Sequence, residues 1–335
     1  MYPNNELVNT TYAEKVTRYQ AQIQQALDRL VLPEQPERLY APIRYFLGLG
    51  GKRMRPVMCM LGYELFAEDS EKALPAALAL ELFHNFTLLH DDIMDKADKR
   101  RGQATVHAKW DENVAILSGD TLFVLAYDQL TYINPAKLPA VMRAFNRIAR
   151  EVCEGQQLDM DYQGRAEVSL NEYLHMIRLK TSVLLGGCLE IGAILGGADE
   201  KQAHLAYVFG EKVGLAFQIQ DDLLDAYGDP KKFGKKVGGD ILVNKHTFLR
   251  MSAEALALGE MADDLKAAYA ETDEKAKIMR VKALFDTLGV PQKAELKKQE
   301  LLKLAFGALD QLETTQTDVV HQLKALAFYL VERES

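Results

Sequence analysis

A chain of 335 residues, of which 48% are hydrophobic, can bury a large core and hold two average domains or one large one. Its net charge of -8 argues against nucleic acid as the main partner. The three cysteines, Cys59, Cys153 and Cys188, have no short spacing, so they predict neither a disulfide framework nor a zinc site. We expect buried free thiols in a reducing cytoplasm.

The sequence shows no sign of targeting to a membrane. Its first residues lack the basic start and apolar core of a signal peptide. The most apolar stretch, residues 183–198, contains Glu190 and five glycines and falls short of a membrane span. We therefore predict a protein with no membrane span that resides in the cytoplasm.

The predicted elements are almost all helices, because Ala and Leu are abundant and no segment alternates polar and apolar residues for long. In chain order, the helices are predicted over residues 12–30, 37–47, from near 56, 75–96, 113–132, 139–162, from a capping box at Ser169 and Glu172 to 196, and 201–227. Residues 228–245 predict a loop rich in Gly and Lys, and helical segments alternate with charged turns after it. Since no linker or repeat separates two parts, the prediction is an all-α single domain over residues 1–335.

Two acidic motifs of the same form lie inside otherwise apolar helical stretches: DDIMD at residues 91–95 and DDLLD at residues 221–225. Carboxylates at positions i, i+1 and i+4 are expected to crowd one side of a helix. They repel by about 1 kcal/mol per pair in water and about 4 kcal/mol near a protein surface. This favours a hard divalent cation, above all magnesium bridged to a phosphate. The alternative is a solvated acidic face, against which the apolar neighbours Phe86, Leu89 and Ile93 argue.

Two basic segments suit phosphate. Arg100 and Arg101 follow the first acidic motif, and guanidinium groups bind phosphate oxygens in bidentate fashion; cations at an ordinary helix end are the alternative. The segment GGKRMRP at residues 50–56 combines close backbone approach with cations. It is not a P-loop, since Phe46 stands where glycine is required, and a basic surface turn is the alternative.

Other candidate residues are more isolated. Lys180 precedes an apolar helical run, so its ammonium needs an acidic or phosphate partner. Lys235, Lys236 and Lys245 lie in the loop after the second acidic motif, where they either close over a ligand or are solvated. His84 lies seven residues, nearly two helical turns, before the first aspartate and shares its face; a structural histidine is the alternative.

The order of these motifs resembles that of the trans-isoprenyl diphosphate synthases, also called polyprenyl synthetases. GGKRMRP, HDDIMD, RRG, KT, QIQDDLLD and GKKVGGDILVNK occur in that order between about residues 40 and 250. The resemblance implies a bundle of long helices around a deep central cavity, usually a homodimer. It also implies that magnesium, three ions with the allylic diphosphate bound, supports condensation of isopentenyl diphosphate with an allylic diphosphate.

The resemblance also implies roles for individual residues. The principal metal ligands are Asp91, Asp95 and Asp221, supported by Asp92 and Asp225, with Asp222 as the remaining carboxylate of the second motif. The allylic diphosphate is held by Arg100, Lys180, Thr181, Gln218, Lys235 and Lys245. Isopentenyl diphosphate is held by Lys52, Arg55, His84 and Arg101, with Arg53 as a weaker candidate.

Product length in this family depends on the floor of the cavity, here Phe86 and Thr87, five and four residues before the first aspartate. One aromatic followed by a small residue resembles enzymes of the geranylgeranyl type, so we expect geranylgeranyl diphosphate ahead of farnesyl diphosphate. Two alternatives stay open. One is a class I terpene cyclase, which needs no second diphosphate site, and the other is a non-catalytic subunit of a heteromeric prenyl synthase.

Overall fold

The computed structural model describes residues 5–165, 167–229 and 237–332, with side chains from residue 13 onward. The described chain is almost entirely helical, which confirms the predicted all-α class. The helices are α1 (Asn5–Asp28), α2 (Glu37–Gly48), α3 (Met54–Glu64), α4 (Leu74–Met94), α5 (Val106–Lys109), α6 (Glu112–Leu130), α7 (Leu138–Gln163), α8 (Leu170–Ile177), α9 (Val183–Gly196), α10 (Glu200–Tyr227), α11 (Gly239–Leu242), α12 (Phe248–Leu256), α13 (Glu260–Tyr269), α14 (Glu274–Thr287), α15 (Val290–Leu309) and α16 (Thr317–Val331).

Four short elements complete the description. A 3₁₀ turn spans Ser70–Ala73, and a π-helical turn spans Arg178–Ser182. Two short strands, β1 (Lys99–Arg100) and β2 (Gln103–Ala104), pair in antiparallel fashion. The sequence predicted neither the π-helical turn nor the strands, because both are too short to produce a periodic pattern.

Helix starts follow local signals. The predicted capping box is present: the Ser169 hydroxyl accepts from the Glu172 N–H, and the Glu172 carboxylate accepts from the Ser169 N–H. Two predicted boundaries were wrong. Helix α1 begins at Asn5, well before residue 12, because its polar first turns carry no apolar periodicity. The helical turn α11 lies inside the predicted loop 228–245.

The chain divides into two compact units. The first comprises Met1–Ala149, Gly187–Tyr207 and Leu312–Leu323. The second comprises Arg150–Gly186, Val208–Gln311 and Lys324–Ser335. The prediction of one domain over the whole chain stays a prediction.

In the first unit, α4 packs closely against α6. A Cβ atom on Gly119 of α6 would lie 2.3 Å from Nε2 of His90, so a residue with a side chain at this position would displace the imidazole. The buried side chains along α4 include Leu80, Leu82 and Phe83. Helix α4 is therefore fixed along its length by the core, and the first acidic motif lies at its carboxyl end.

The second unit buries a polar contact beside its core. Ile219 of α10, Phe248 of α12 and Phe285 of α14 are buried. Lys298 of α15 is only 5% exposed, and its ammonium donates to the side-chain oxygen of Gln220. A buried ammonium needs such partners, so this contact fixes α15 against the helix that carries the second acidic motif.

Two further predictions concern the thiols and the apolar stretch. Cys59 and Cys188 are buried free thiols, but Cys153 on α7 is exposed, so the expectation was wrong for this residue. Within the described part of the chain, the helical stretch Leu170–Gly196 is long and apolar enough to cross a membrane. Within the most apolar 18 residues of this stretch, 67% is buried inside the structure, as in a core helix.

Candidate active site

The first acidic motif ends α4, and its three carboxylates do not share one face. Asp91 is half-buried and Asp95 is exposed, whereas Asp92 is only 2% exposed. Nε of Arg100 donates to both oxygens of Asp92 at 2.8 and 2.9 Å. The expectation of one crowded face was wrong, because adjacent residues on a helix are about 100° apart. The second carboxylate faces inward and anchors Arg100.

The two arginines after this motif lie on a β-hairpin rather than at a helix end. Strands β1 and β2 are joined by Arg101 and Gly102, whose φ angles are +53° and +78°. Positive φ at both loop residues is the type I′ arrangement favoured by two-residue hairpins. The hairpin presents Arg101 to solvent and keeps Arg100 half-buried against the acidic motif.

The GGKRMRP segment meets this hairpin. Gly51 has φ +141°, and a Cβ atom there would lie 2.8 Å from a terminal guanidinium nitrogen of Arg101. The guanidinium therefore packs directly on the glycine, and a side chain at this position would displace it and would be strained at this φ. Two basic segments that are about 50 residues apart in the sequence thus form one surface, which we call the basic cradle and define as Gly51, Lys52, Arg55, His84 and Arg101.

Inside the basic cradle, Arg55 and His84 contact each other. An amino group of Arg55 lies 3.0 Å from Nε2 of His84. Since arginine only donates, Nε2 must accept. Burial lowers the pKa of His84 well below its usual value, and the positive charges of Arg55 and Arg101 lower it further. The imidazole is therefore neutral, and Nε of Arg55 is buried without a hydrogen-bond partner among the described residues.

Arg53, the weaker candidate for binding isopentenyl diphosphate, is directed into the protein. Its guanidinium lies 2.6 Å from Glu81, and both side chains are almost fully buried. It also donates to the carbonyl of Leu47 at 2.8 Å and to Gln24. These contacts favour a structural role, in which Arg53 joins α1, α2 and α4 beneath the basic cradle.

The second acidic motif lies near the end of α10. Asp221 and Asp225 are half-buried, whereas Asp222 is 5% exposed. The hydroxyl of Tyr173 and the backbone N–H of Phe248 donate to Asp222 at 2.6 and 2.8 Å. Burial raises the pKa of Asp222 to about 7, against the opposing effect of these two donors. As in the first motif, the second carboxylate faces inward and acts as an anchor.

Asp225, the last carboxylate of the second motif, contacts the helical turn that follows it. The backbone N–H of Asp240, in the first turn of α11, donates to a carboxylate oxygen of Asp225 at 3.0 Å. Lys245 lies 3.6 Å from Asp240. The predicted ligands Lys235 and Lys236 lie outside the described residues.

Lys180 and Thr181 lie in the π-helical turn, an element often found at functional sites. The ammonium of Lys180 lies 2.6 Å from Asp159 of α7. A Cβ atom on Gly155 would lie 2.2 Å from the backbone nitrogen of Lys180, so α7 touches this turn at backbone distance. The sequence analysis missed Asp159 and Gly155; a glycine within a helix costs about 1 kcal/mol and was a signal of close approach.

The two predicted floor residues lie on α4. The ring of Phe86 stacks on Phe123 of α6, with centroids 4.9 Å apart and planes at 10°. The ring of Phe83 contacts both of these rings, with centroids 5.7 Å from Phe86 and 5.6 Å from Phe123. The Thr87 hydroxyl donates to the His84 carbonyl at 2.8 Å. Phe86 is thus part of an aromatic cluster rather than an isolated side chain.

The donor set fits magnesium in a particular way. Among the described residues, no three His, Cys, Asp or Glu side chains come together as a complete metal site. Magnesium is usually bound by one or two carboxylates and completes its octahedral shell with water and substrate phosphate oxygens. The carboxylates that are not buried, Asp91 and Asp95 in the first motif and Asp221 and Asp225 in the second, suit magnesium that arrives with a diphosphate.

Carboxylates that suit a metal lie toward the ends of two long helices, and arginines that suit phosphate lie on the hairpin and on α3. This set of side chains is the one expected of an enzyme that handles a diphosphate. The geranylgeranyl pyrophosphate synthase of Geoglobus acetivorans is 38% identical over 317 residues, which are 93% of this chain and 96% of that protein. The geranylfarnesyl diphosphate synthase of Natronomonas pharaonis is 34% identical over 93% of this chain and 94% of its own length.

A solved structure of a protein of the same class is similar to this chain over nearly its whole length. The crystal structure of geranylgeranyl pyrophosphate synthetase from Pyrococcus horikoshii matches with a TM-score of 0.89 and 33% identity, and the match covers 96% of this chain and 99% of that one. The family model for polyprenyl synthetase matches residues 36–288. The chain belongs to the polyprenyl synthetase family and is a trans-prenyltransferase, as the motif order predicted.

Proposed function

We propose that this prenyltransferase condenses isopentenyl diphosphate head to tail with an allylic diphosphate, depends on magnesium, and releases geranylgeranyl diphosphate. The observation that carries the proposal is the basic cradle, in which the guanidinium of Arg101 packs on Gly51 and Arg55 contacts a neutral His84. A second diphosphate substrate needs a cationic site of its own. A terpene cyclase binds a single diphosphate and needs no such second site.

The reaction has three steps. The C–O bond of the allylic diphosphate breaks and leaves an allylic cation. The double bond of isopentenyl diphosphate attacks this cation and forms a C–C bond, and a proton is then lost, with the departing diphosphate as the base. Magnesium, when bound by the carboxylates, neutralises the diphosphate and stabilises it as a leaving group.

The residues of this chain bind and orient the two substrates. Arg100, Lys180, Thr181, Gln218, Lys235 and Lys245 hold the allylic diphosphate in this proposal. Lys52, Arg55, His84 and Arg101 hold isopentenyl diphosphate, and the unpartnered Nε of Arg55 is available to it. Asp91, Asp95, Asp221 and Asp225 serve as metal ligands, whereas the contacts of Asp92 and Asp222 support a positioning role.

The proposed product rests on Phe86. This residue lies five residues before Asp91, about 7.5 Å away along the helix axis, and Phe123 backs its ring. A growing apolar chain that extends along α4 meets this aromatic pair. The relatives named above are synthases of products of different length, so similarity to them does not choose the product of this chain. The proposed product length therefore depends on the residues at this floor.

Replacing Phe86 by Leu and by Ala tests the floor. We expect Phe86→Ala to lengthen the main product beyond twenty carbons and Phe86→Leu to lengthen it less, because the smaller side chain leaves more room for the prenyl chain. The measurement is chromatography of the dephosphorylated products. If both variants make the wild-type product, the floor lies elsewhere.

The overall proposal is tested by incubating the purified chain with labelled isopentenyl diphosphate, magnesium and each of the dimethylallyl, geranyl and farnesyl primers. We expect linear prenyl alcohols after dephosphorylation, with the twenty-carbon alcohol as the main product, and complete loss of product with EDTA. A cyclic hydrocarbon formed from geranylgeranyl diphosphate alone would instead support a terpene cyclase. Absence of product with every primer would support a non-catalytic subunit.

We also propose that the chain forms a homodimer in the cytoplasm. Leu117 and Val124 lie seven residues apart on α6 and are 59% and 60% exposed. Apolar side chains at this spacing form a stripe that a second copy can cover in a symmetric dimer. Light scattering of the purified chain tests this, and a monomer at micromolar concentration would contradict it.

A further inference from the structure

The hairpin that carries Arg100 and Arg101 needs support from outside its own strands. Each strand has only two residues, and an isolated two-stranded hairpin is marginally stable at best. Arg101 also holds a positive φ of +53°, which costs a residue other than glycine about 1–2 kcal/mol. Contacts with the rest of the unit must therefore fix its geometry.

One outer edge of the hairpin offers such a contact. Lys99 pairs with Ala104, and the next pair outward, Asp98 and Thr105, is joined by the Thr105 N–H at 3.1 Å. Hydrogen-bonded and non-bonded pairs alternate in an antiparallel ladder. The Lys99–Ala104 pair is therefore non-bonded, and the carbonyl of Ala104 points away from the partner strand.

Tyr45 of α2 occupies this edge. Its hydroxyl donates to the carbonyl of Ala104 at 2.7 Å. Its ring lies edge-on to the ring of Trp110, with centroids 5.3 Å apart, and the ammonium of Lys109 lies 3.7 Å from its centre. The ring is held by an aromatic contact and a cation–π contact, each of which contributes about 0.5–1 kcal/mol.

We propose that Tyr45 is a positioning residue for isopentenyl diphosphate: by holding β2, it sets the position of Arg101 over Gly51. This inference rests on the proposed function of the basic cradle. Tyr45 touches neither substrate in this proposal. It acts through the hairpin, in the same way that a third strand would restrain its edge.

The test removes the hydroxyl alone. Tyr45→Phe keeps the ring, so we expect the fold to be preserved, with an unfolding midpoint in urea close to that of the wild type. With geranyl diphosphate saturating, the KM for isopentenyl diphosphate should rise about threefold to tenfold, the range expected from the loss of one hydrogen bond. The kcat and the KM for geranyl diphosphate should change less than about twofold.

A matched control is Tyr127→Phe, which removes the hydrogen bond from a hydroxyl on α6 to Asn146 and leaves the hairpin untouched. This control should leave the KM for isopentenyl diphosphate unchanged. Lys109→Met, which removes the cation from the Tyr45 ring but keeps the hydroxyl, should raise it by less than Tyr45→Phe does. Equal KM values in Tyr45→Phe and wild type, or a loss of kcat at constant KM, would overturn the inference.

A binding experiment separates this inference from the proposed function. Inorganic diphosphate is titrated calorimetrically into each variant without magnesium, and Tyr45→Phe should raise its Kd by the same factor. Trp110 is the single tryptophan of the chain, so acrylamide quenching reports locally on this edge and should increase in Tyr45→Phe but not in Tyr127→Phe. A wild type that binds diphosphate but makes no product would refute the proposed function, while the ratio of Kd values would still decide the role of Tyr45.

Discussion

The two acidic motifs have the same spacing but hold their second carboxylate in different ways. In the first, the guanidinium of Arg100 takes both oxygens of Asp92. In the second, Asp222 accepts from three neutral donors, the Tyr173 hydroxyl, the Phe248 N–H and, at 3.3 Å, the side-chain amide of Gln218. Thus each inward carboxylate anchors its motif, once through a charge pair and once through neutral hydrogen bonds.

The difference changes the charge of the two anchors. Burial raises the pKa of both carboxyl groups. For Asp92 the positive charge of Arg100 opposes this rise. Asp222 has no such partner among its hydrogen-bond donors, and its pKa rises to about 7. The same spacing of carboxylates therefore yields one ion-paired anchor and one anchor whose pKa burial raises to about 7.

The largest effect should come from the outward carboxylates. Asp91→Ala and Asp221→Ala should each lower kcat by about 10² to 10³-fold or more, the cost of removing a group that stabilises developing charge. Both proteins should stay folded, because both side chains are only half-buried. Steady-state assays with circular dichroism as the folding control measure this. Near-normal turnover in either variant would sink the metal-ligand assignment for that motif.

A smaller effect should separate the two anchors. Asp92→Asn leaves the guanidinium of Arg100 opposite a neutral amide and should cost about 2 kcal/mol of unfolding free energy, a value reduced for the partial exposure of Arg100. Asp222→Asn should cost about 1 kcal/mol, because the native group is already partly protonated and an amide oxygen can accept from the same donors. Urea unfolding at pH 7 in EDTA measures both.

The order of these two costs decides the comparison. If Asp222→Asn destabilises more than Asp92→Asn, the charge pair is not the stronger anchor and the contrast between the motifs fails. Arg100→Lys is a matched control, since lysine keeps the positive charge but loses the guanidinium that contacts both oxygens of Asp92.

The smallest effect concerns the helix that delivers Tyr173 to Asp222. The N–H of Ser169 donates to Glu172 at the start of α8 and lowers its pKa from 4.5 to about 2, assisted by the Ser169 hydroxyl and Arg165. A lowered pKa in the folded state stabilises the protein above pH 4.5, and this contribution is lost as the pH falls toward 2. Glu172→Gln should therefore lower Tm at pH 6 but not at pH 2.

Melting curves from pH 2 to 6 measure this convergence. Glu68→Gln, an exposed site in the connection between α3 and α4, serves as the control. A constant offset between Glu172→Gln and wild type at every pH would mean that the capping charge contributes nothing.

The sequence by itself determined the helices, the capping box and the family, because these depend on local periodicity, on residues within one turn of each other and on the order of short motifs. The six aspartates and the basic segments could be named from the chain for the same reason. The contact of Arg100 with Asp92 spans only eight residues, but the hairpin that makes it was not predicted.

Only the tertiary structure decided which carboxylate of each motif faces inward. Two of the donors to Asp222 come from residues 49 and 26 positions away, and the guanidinium of Arg101 reaches Gly51 from a separate element. Asp159 became the partner of Lys180 only because Gly155 lets two backbones touch. Burial and long-range partners set the role of an aspartate or an arginine, since the same side chain binds a ligand when it faces outward and anchors a helix when it faces inward.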